Sequence, residues 1–534
     1  MCGGVLNVLH EAYDEVLAYI RKKRGITYKR PLLTKALESL ESASKENFLI
    51  NAPTGYGKSL ISMSVALHEF HQDSKTIIAY PLRTLIEQQS LDMKEMFHFH
   101  GISRDFVGTR HMGSKESLYL VHPITLTTID TLSLTAMGLS PEDISKVYSS
   151  MSSSWFSNLG HYLFSWSSIF ASTYLILDEV HLMYDSSKSL SFLKFLMNLC
   201  ELTGVRMIFM TATFPKKFEN ALPLKKVEKI GFNRDDDPEF YDERNSKKYR
   251  IELLYLKKSD KFSRIREVLR SSDFKKSLII FNTVEDAADF YRLVNGNKIL
   301  IHSRFTNEDK KTKVSELEKM RSSDEKYVVI STQAIEAGVD VSADLIITEV
   351  SPPISLVQRF GRFLRYDEKS GKAFVWVEED ALNDENSSLY KVYDKELIKK
   401  TLDYLASNND VNLHISYDDF IDRVYAEEPR INEKLINELT GVLLDLLEPT
   451  SSAMKLFLKM EGSFVREGSN FVVVAEDESG SEVELNVSFD YMYKLKVNGL
   501  CDDCPGNVRE ALERSLRGEK FRVYVKYNRE VGLV

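Results

Sequence analysis

Cysteine is scarce in this sequence, which has only four in 534 residues: Cys2, Cys200, Cys501 and Cys504. So few cysteines exclude a disulfide-rich scaffold of the secreted type. Cys501 and Cys504 form a single C-x-x-C pair without a second pair or a nearby histidine, and this argues against a structural zinc site, which takes about four ligands. A free thiol pair and a labile disulfide on a surface turn both stay open for them.

Long hydrophobic runs are also missing. No stretch reaches the roughly 20 consecutive apolar residues that a membrane-spanning helix requires. Residues 1–16 are acidic and amphipathic, which is not the pattern of a signal peptide. We therefore expect a cytoplasmic protein.

The sequence has no surplus of positive charge. Its 70 Lys and Arg against 79 Asp and Glu give a net charge of −9. This argues against a surface that binds polyanions everywhere, but it leaves room for a local basic channel, because nucleic-acid binding depends on clustered charge. Residues 21–24 form one such basic cluster, at the end of a predicted N-terminal amphipathic helix, and such clusters are usually solvated helix ends.

The most informative motif that is present is APTGYGKS, residues 52–59. An apolar strand-like run precedes it at 47–50 and a run with helical spacing follows at 60–70, which is the setting of a phosphate-binding loop. Lys58 can reach the outer phosphates, and the Ser59 hydroxyl can ligate Mg²⁺. The loop lacks the first glycine of the common form of the motif, so this is a variant form. The predicted nucleotide-binding residues are Pro53, Thr54, Gly55, Tyr56, Gly57, Lys58 and Ser59.

A second motif places two carboxylates at the end of an apolar strand, at residues 173–179. Asp178 is suited to hold Mg²⁺, and Glu179 is suited to polarise the water that attacks a γ-phosphate. His181 could sense the state of that phosphate. Thr211 and Thr213 end the strand-like run 206–212, where their hydroxyls could relay the state of this segment. An acidic strand end and ordinary strand-forming threonines are the alternatives.

A third motif lies at residues 358–365, QRFGRFLR. Arg359, Arg362 and Arg365 have the spacing i, i+3, i+6, which predicts one cationic helix face. Such a face provides the positive charge that phosphoryl transfer needs, and a solvated basic helix is the alternative. Gly338 and Asp340 follow the strand-like run 326–332, where we expect contacts with the nucleotide ribose and with nucleic acid.

Strand-like apolar runs alternate with helical patterns in two regions, which predicts an α/β fold with parallel sheets and crossover helices. The pattern changes after about residue 405, where helical and strand-like segments of mixed type follow. Residues 140–168, rich in serine and aromatics, are expected to be an insertion. The predicted division is an N-terminal helical segment (1–28), a first α/β domain (29–235), a linker (236–248), a second α/β domain (249–405) and a C-terminal mixed accessory domain (406–534).

With their neighbours, these motifs resemble those of the superfamily 2 helicases. The ordered set is APTGYGKS, YPLRTLIEQQ, TLTTID, DEVH, TAT, IIFNTV, STQAIEAGVD and QRFGRFLR, and it covers about residues 50–365. The resemblance implies two tandem RecA-like motor domains that use ATP and Mg²⁺ to move along nucleic acid.

The same resemblance implies roles for further residues. Arg83, Thr128 and Thr332 match residues that contact the nucleic-acid backbone, which would give binding independent of sequence. Arg362 and Arg365 match the arginine finger, and Gln358 matches a residue that contacts phosphate or water. The glutamine that reads adenine in some relatives has no counterpart near Pro31, so the preference for ATP is less firmly implied than its use.

A narrower resemblance is to the helicase of type I CRISPR interference systems. It rests on LDEVHLMYD (177–185), with its Tyr184-Asp185 pair, on LIHSRFTNEDK (300–310) and on residues 332–362. Many members of that family carry an HD nuclease domain before the motor, whereas this sequence contains no His-Asp dipeptide. The asparagine of the family's last motif is also replaced, in the run Arg362-Phe363-Leu364-Arg365.

The hypothesis is therefore an ATP-dependent translocase and helicase on single-stranded DNA. The resemblance implies recruitment by a crRNA-guided surveillance complex, movement from 3′ to 5′ and a separate HD-domain nuclease as partner. Two alternatives stay open: a DNA-repair or RNA helicase of superfamily 2 outside CRISPR, and a nucleotide-gated scaffold that binds DNA without unwinding it.

Overall fold

The structure, a computed structural model, describes residues 8–25, 28–42, 47–111, 113–151, 161–184, 186–222, 227–336, 338–445 and 449–534. By the contacts between its residues, the chain divides into two units. The first comprises Met1–Asp237, Glu427–Phe471 and Pro505–Lys520, and the second comprises Pro238–Ala426, Val472–Cys504 and Phe521–Val534. The predictions for Cys2, for Asp185 and for residues 152–160 of the expected insertion lie outside the described residues.

The first unit contains an eight-stranded sheet. Its strands are β1 (Asn47–Asn51), β2 (Lys75–Tyr80), β3 (Val107–His111), β4 (Ser114–Lys115), β5 (Ile124–Thr128), β6 (Ser172–Leu177), β7 (Arg206–Thr211) and β8 (Val227–Gly231). The order is β4-β3-β5-β2-β6-β7-β1-β8, antiparallel between β3 and β4 and parallel between the other neighbours. The central strands are buried on both faces, which is why they read as continuous apolar runs.

The second unit contains a six-stranded parallel sheet. Its strands are β9 (Ile251–Leu256), β10 (Lys276–Ile280), β11 (Lys298–Ile301), β12 (Tyr327–Ser331), β13 (Leu345–Glu349) and β14 (Lys372–Glu378), in the order β11-β12-β10-β13-β14-β9. A smaller sheet, β16-β15-β17, consists of β15 (Asn470–Glu476), β16 (Glu482–Ser488) and β17 (Phe521–Arg522). Two parallel sheets with crossover helices confirm the predicted α/β class and its two RecA-like sheets.

Helices connect the strands and cover the sheets. Before the second sheet they are α1 (Leu9–Arg24), α2 (Pro31–Ser42), α3 (Ser59–His71), α4 (Arg83–Phe99), α5 (Ile129–Ala136), α6 (Ile144–Ser150), α7 (His161–Phe170), α8 (Ser187–Thr203), α9 (Phe218–Ala221) and α10 (Pro238–Asn245). Those that follow are α11 (Lys261–Ser271), α12 (Val284–Leu293), α13 (Asn307–Ser322), α14 (Pro353–Phe360), α15 (Glu379–Asn383), α16 (Ser388–Val392), α17 (Lys395–Ser407), α18 (Asp418–Val424), α19 (Glu433–Leu444), α20 (Pro449–Lys459), α21 (Phe489–Val497) and α22 (Val508–Leu516). No helix within the described ranges is long and apolar enough to cross a bilayer.

The division by contacts groups the C-terminal residues differently from the predicted segments. Residues 406–534 do not form a unit of their own, because Glu427–Phe471 and Pro505–Lys520 cluster with the first unit and the rest with the second. Lys194 of α8, for example, pairs with Glu433 of α19 at 2.6 Å. The segment expected to be a linker contains α10, whose Phe240 is buried. The predicted domain boundaries themselves stay a prediction.

Two smaller features of the sequence have defined surroundings. Cys501 and Cys504 are joined as a disulfide, and both side chains are buried rather than lying on the surface. In the basic cluster at the end of α1, Lys23 lies 2.6 Å from Asp92 and Arg24 lies 3.0 Å from the same carboxylate. These ion pairs hold α1 to α4, in keeping with a structural use of that part of the cluster.

Candidate nucleotide and nucleic-acid site

The parallel sheet of the first unit brings its motifs to one edge. Strands β6, β7 and β1 are consecutive neighbours, so the loops after their carboxyl ends lie side by side. Backbone hydrogen bonds continue past the strand ends, from Ala52 N–H to Thr211 O (3.0 Å) and from Asp178 N–H to Ala79 O (3.0 Å). The phosphate loop, the Asp178-Glu179 pair and the Thr211–Thr213 turn therefore share one edge, where parallel α/β sheets bind their ligands.

The phosphate loop has the conformation that its glycines predict. Gly55 and Gly57 have φ of 78° and 100°, values that favour glycine. Helix α3 begins directly after the loop, and no side chain caps its first turn. The first N–H groups of α3 and its positive dipole end are therefore suited to an anion. Lys58 is buried, and its Nζ donates to Ala52 O at 2.8 Å.

The side chain of Tyr56 holds the phosphate loop in place through hydrogen bonds of its hydroxyl. Its buried hydroxyl accepts the Leu32 N–H at 3.3 Å and donates to Asp237 Oδ2 at 3.1 Å. Arg30 donates to the same carboxylate oxygen at 3.1 Å, and its guanidinium lies 5.2 Å from the centre of the Tyr56 ring. The side chain of Tyr56 thus joins the loop to the start of α2 and to Asp237, the last residue of the segment Met1–Asp237.

Replacing Tyr56 with phenylalanine tests this anchor. The ring keeps its edge contact with Phe232, whose centroid is 5.2 Å away, but the buried Leu32 N–H and Asp237 lose a partner. We expect unfolding free energy to fall by about 1–3 kcal/mol and the KM for ATP to rise, measured by denaturant titration and steady-state kinetics. The control is Tyr493→Phe, at a site that is 44% exposed. Equal behaviour of the two variants would show that the hydroxyl does not hold the loop.

Asp178 and Glu179 occupy different surroundings although they are adjacent. Asp178 is buried, and this burial, together with the charge of Glu179, raises the pKa of its carboxyl to about 7, while the charge of Lys58 opposes the rise. Glu179 has a left-handed backbone, φ 51°, which is uncommon for a residue other than glycine and is characteristic of functional turns. The turn separates the two side chains at the end of β6, where a short 3-10 helix, Val180–Met183, begins.

His181 links Glu179 to the end of β7. Its Nδ1 lies 3.3 Å from Glu179 Oε2 and 3.4 Å from Thr211 Oγ1. Burial lowers the pKa of His181 to about 4, so the ring is neutral at neutral pH. The Thr211 hydroxyl donates to Thr213 O at 2.8 Å and accepts the Thr213 N–H at 3.1 Å. A continuous polar chain therefore runs from Glu179 through His181 to the Thr211–Thr213 turn.

The residues at this edge fit a magnesium ion. The buried carboxylate of Asp178 and the hydroxyl of Ser59 are hard oxygen donors. Burial raises the pKa of Asp178, and a bound cation would oppose this effect by stabilising the ionised carboxylate. The described residues contain no group of three or more His, Cys, Asp and Glu side chains that could hold a metal ion by themselves. Mg²⁺ suits such a sparse donor set, because it usually takes one or two carboxylates and completes its shell with phosphate and water.

The predicted nucleic-acid contacts of the first unit follow neighbouring strands. Arg83 begins α4 just after β2, with its Nε 3.8 Å from Glu87 Oε1. Thr128 ends β5, and its buried hydroxyl caps α5 by accepting the Thr131 N–H at 3.2 Å. Both lie at the carboxyl edge that also holds the phosphate loop. Thr332, the third predicted contact, is buried after β12 of the second unit.

The arginines of the second unit do not share one helix face, so that prediction is wrong. Helix α14 ends at Phe360. Beyond it the chain pairs with Ala343, whose N–H donates to Arg362 O (3.0 Å) and whose O accepts the Leu364 N–H (2.8 Å). A backbone held in this way cannot continue the helix, so Arg362 and Arg365 lie in the loop after it.

Each predicted arginine has partners within the second unit. Arg362 donates from Nη2 to Glu336 O at 2.9 Å and from Nε to Ile335 O at 3.2 Å. Arg365 Nε lies 3.5 Å from Asp340 Oδ1, and Asp340 also accepts from Arg321 at 2.8 Å. Asp340, predicted to contact the ribose, is thus already held by two arginines. Gly338, before it, has φ of 80°.

Gln358 lies on α14 and is only 5% exposed. Its buried Nε2 has no hydrogen-bond partner within the described ranges. An unpaired buried amide is costly and uncommon, and it is typical of positions that bind a ligand in another state of the protein. The Nε2 of Gln358 therefore has a donor that is not used by the described residues, which is compatible with the contact to phosphate or water that the family resemblance implies.

Arg359 has a structural use that the sequence pattern did not reveal. It is fully buried, and its Nε pairs with Glu336 at 2.8 Å. Its other nitrogens donate to the Thr348 hydroxyl, Glu349 O, the Asn282 amide oxygen and the Tyr393 hydroxyl, all at 2.8–3.0 Å. Every N–H of the guanidinium is used, so Arg359 ties α14 to the ends of β10 and β13.

Replacing Arg359 with alanine should strongly destabilise the second unit. The buried Glu336 carboxylate would lose its partner, and breaking such a pair typically costs about 3–5 kcal/mol. Arg423→Ala is the control, because Arg423 is 67% exposed and its pair with Asp419 is on the surface, where about 0–1 kcal/mol is usual. Chemical denaturation measures both, and similar losses in the two variants would contradict the structural role.

The comparisons with known proteins agree with this geometry. A family model described as DEAD/DEAH box helicase matches residues 31–221, and one for the C-terminal part of the CRISPR-associated nuclease/helicase Cas3 matches residues 273–368. Residues 31–221 are thus similar to DEAD/DEAH box helicases, and residues 273–368 are similar to the C-terminal part of Cas3. The two models cover the phosphate loop, the Asp178-Glu179 pair and the Arg362–Arg365 run.

Curated relatives with the name Cas3 also match parts of the chain. The chain is 31% identical to the CRISPR-associated nuclease/helicase Cas3 of Methanothermobacter thermautotrophicus over 55% of its own length and 37% of the relative's. It is 26% identical to the CRISPR-associated helicase Cas3 of Thermoproteus tenax over 68% of its own length and 62% of the relative's. The chain therefore spans only part of these helicases.

A solved structure shows the same fold. The crystal structure of T. fusca Cas3-AMPPNP superposes with a TM-score of 0.66 at 16% identity, covering 98% of this chain and 71% of that one. At such low identity the match supports the fold of the chain and not the roles of its residues.

Proposed function

We propose that the chain is an ATP-driven motor that moves along nucleic acid and unwinds it, with single-stranded DNA as its track. The observation that carries the proposal is the shared carboxyl edge of the first sheet. The phosphate loop, the Asp178-Glu179 pair and the Arg83 and Thr128 loops follow strands of one parallel sheet. A nucleotide and a nucleic-acid backbone would therefore contact loops of the same rigid scaffold.

The residues of the phosphate loop would bind ATP. The uncapped N-terminus of α3 offers N–H groups to the phosphates. Lys58 would leave the carbonyl of Ala52 and place its ammonium on the outer phosphates, where it neutralises charge. Ser59 and Asp178 would hold Mg²⁺, which supplies positive charge to the leaving phosphate groups. Tyr56 keeps the loop in its phosphate-binding shape.

Glu179 would orient and polarise the attacking water. It lies at the turn after β6, next to Asp178 in the chain, and its side chain is 24% exposed. His181 and Thr211 connect it to the Thr213 turn by contacts of 2.8–3.4 Å. Loss of the terminal phosphate would change the partner of Glu179 and, through this chain, the end of β7. That is a route by which hydrolysis can alter the grip on nucleic acid.

In the second unit, Gln358, Arg362 and Arg365 remain the residues proposed to respond to the nucleotide. Gly338 and Asp340 are proposed to contact the ribose, and Thr332 the nucleic-acid backbone. Their support is the family resemblance together with the unpaired amide of Gln358. For Asp340, binding would require it to release Arg321 or Arg365.

The biological setting we propose is type I CRISPR interference in the cytoplasm. Its support is the Cas3-type match at residues 273–368 and the curated relatives that are called CRISPR-associated. The partners proposed are a crRNA-guided surveillance complex and a separate HD-domain nuclease, and their support is the resemblance to the helicase of type I CRISPR interference systems. Movement from 3′ to 5′ belongs to the same proposal.

The rate of ATP hydrolysis with different nucleic acids tests this function. We expect strong stimulation by single-stranded DNA and weaker stimulation by single-stranded RNA or blunt duplex, all at one salt concentration because binding to phosphates depends on salt. Preferential stimulation by RNA would point to an RNA helicase instead. No stimulation by any of the three would contradict a nucleic-acid motor and favour a scaffold.

A further inference from the structure

The C-terminal segment that joins the first unit contributes a loop to the carboxyl edge of its sheet. Residues 461–469 follow α20, and they contact the start of α8 just beyond β6. The Ser189 hydroxyl donates to Val465 O at 2.7 Å, the Ser186 hydroxyl donates to Glu467 Oε1 at 3.0 Å, and Lys188 Nζ donates to Met460 O at 2.8 Å. This loop, called the 461–469 loop below, is therefore fixed to the start of α8.

The 461–469 loop has a defined shape. The Ser463 hydroxyl accepts the N–H groups of Val465 (3.1 Å) and Arg466 (2.9 Å), which closes a tight turn. Phe464 and Val465 are buried, at 0% and 4% exposure. Because the turn and its apolar side chains are held, the next residue, Arg466, is presented at a fixed place.

Arg466 reaches the ends of two more strands. Its Nε lies 2.7 Å from Asp130 Oδ2 in the first turn of α5, and its Nη2 donates to Pro81 O directly after β2. Strands β5, β2 and β6 are consecutive neighbours in the sheet. One loop thus contacts the residues directly after β2 and β5 and the start of α8, the next α-helix after β6.

The same strand ends carry the proposed nucleic-acid contacts. Arg83 lies two residues after Pro81, and Thr128 lies two residues before Asp130. Arg466 is 41% exposed there. A guanidinium has five N–H donors, and the contacts with Asp130 and Pro81 use Nε and Nη2, so donors remain for a phosphate oxygen while both contacts persist.

We propose that Arg466 binds the phosphate backbone of single-stranded nucleic acid beside Arg83 and Thr128. Asp130 acts as a positioning residue that orients the guanidinium. The inference rests on the proposed function, and it extends the binding surface to a part of the chain that lies outside both matched family segments, 31–221 and 273–368. A purely structural latch held by the 461–469 loop is the competing explanation.

Binding of a fluorescent oligo-dT across a series of salt concentrations separates the two explanations. A lost phosphate contact makes the dependence of log K on log salt shallower, by about 0.7 for a single strand. We expect Arg466→Ala to show this change together with a fall in affinity of about tenfold at low salt, as for a charge-assisted hydrogen bond. Arg466→Lys keeps the charge and should keep the wild-type slope with an intermediate affinity.

The control is Arg509→Ala on α22 of the same unit, where Arg509 is 74% exposed and pairs with Glu513. Its slope and affinity should equal those of the wild type. A weaker Arg466→Ala with an unchanged slope would indicate the latch and overturn the inference, as would an equal change in Arg509→Ala. If the wild type itself fails to bind the oligonucleotide, the proposed function fails first, and the inference fails with it.

Discussion

Replacing Lys58 with alanine is expected to abolish ATP hydrolysis, with a loss in kcat/KM of about 10²- to 10³-fold or more, the size typical for removing one preorganised charge-stabilising donor. Lys58 is the one cation on the phosphate loop, residues 52–59, and its Nζ is held 2.8 Å from Ala52 O. Alanine at 58 also keeps the start of α3 and its N–H groups.

The measurement is steady-state ATP hydrolysis with saturating single-stranded DNA. Lys146→Ala serves as the matched control, because Lys146 lies on α6 of the same unit and its side chain is 61% exposed. It should retain the wild-type rate. Hydrolysis stimulated by DNA in Lys58→Ala would show that the loop does not bind the reacting phosphates, and the mechanism would be wrong.

Replacing Glu179 with glutamine should slow the chemical step while nucleotide binding persists. General base catalysis contributes about 10²- to 10⁴-fold, and we expect kcat to fall by that amount. Glutamine has the same size and can keep the left-handed turn, φ 51°, and the contact with His181. The affinity for a non-hydrolysable ATP analogue should therefore change little.

The two measurements are single-turnover hydrolysis and binding of the analogue. Glu433→Gln is the control, because Glu433 is 63% exposed on α19. A variant at 179 that hydrolyses ATP at the wild-type rate would assign water activation to another group. A variant that loses the analogue would instead indicate that Glu179 has a role in binding.

The strands that the sequence predicted well are those buried on both faces. The runs 173–179 and 206–212 became β6 and β7 with nearly the expected bounds, because parallel strands beneath helices are continuously apolar. Two strands at or next to the edges of the sheet were not among those expected: β3 and β8 contain Arg110, Lys229 and other polar residues that mask the pattern. Tertiary contacts rather than local sequence define such strands.

Residues 520–527 alternate between apolar and polar side chains, a pattern typical of a strand, but the observed strand is much shorter. Only Phe521–Arg522 forms β17. After it, Val523 N–H donates to Val474 O, but Tyr524 N–H turns to Leu500 O. The chain alternates between two partners, so a regular ladder does not continue. Alternating apolar residues alone could not reveal a partner that lies 24 residues away.

The positions of the candidate site residues were predictable where the motif is local in sequence. The phosphate loop and the Asp178-Glu179 pair each follow one apolar run, and the structure places both at one sheet edge. The spacing of Arg359, Arg362 and Arg365 misled, because Gly361 ends α14 and the chain turns to pair with Ala343.

Long-range partners carried no signal in the sequence. Asp237, which holds Tyr56, lies 181 residues from it in an acidic stretch that reads as a linker. Arg466 and Pro81 are 385 residues apart. The grouping of residues 427–471 and 505–520 with the first unit by contacts also had no signal in the sequence. Contacts of this kind depend on the folded chain and not on any motif.

Strand displacement on a partial DNA duplex with a single-stranded overhang tests the central claim most directly. We expect the wild type to displace the strand with ATP and Mg²⁺ but not with a non-hydrolysable analogue. Glu179→Gln should displace no strand even though it binds nucleotide. Equal displacement with ATP and with the analogue would contradict an ATP-driven motor and would favour a scaffold that opens duplexes by binding alone.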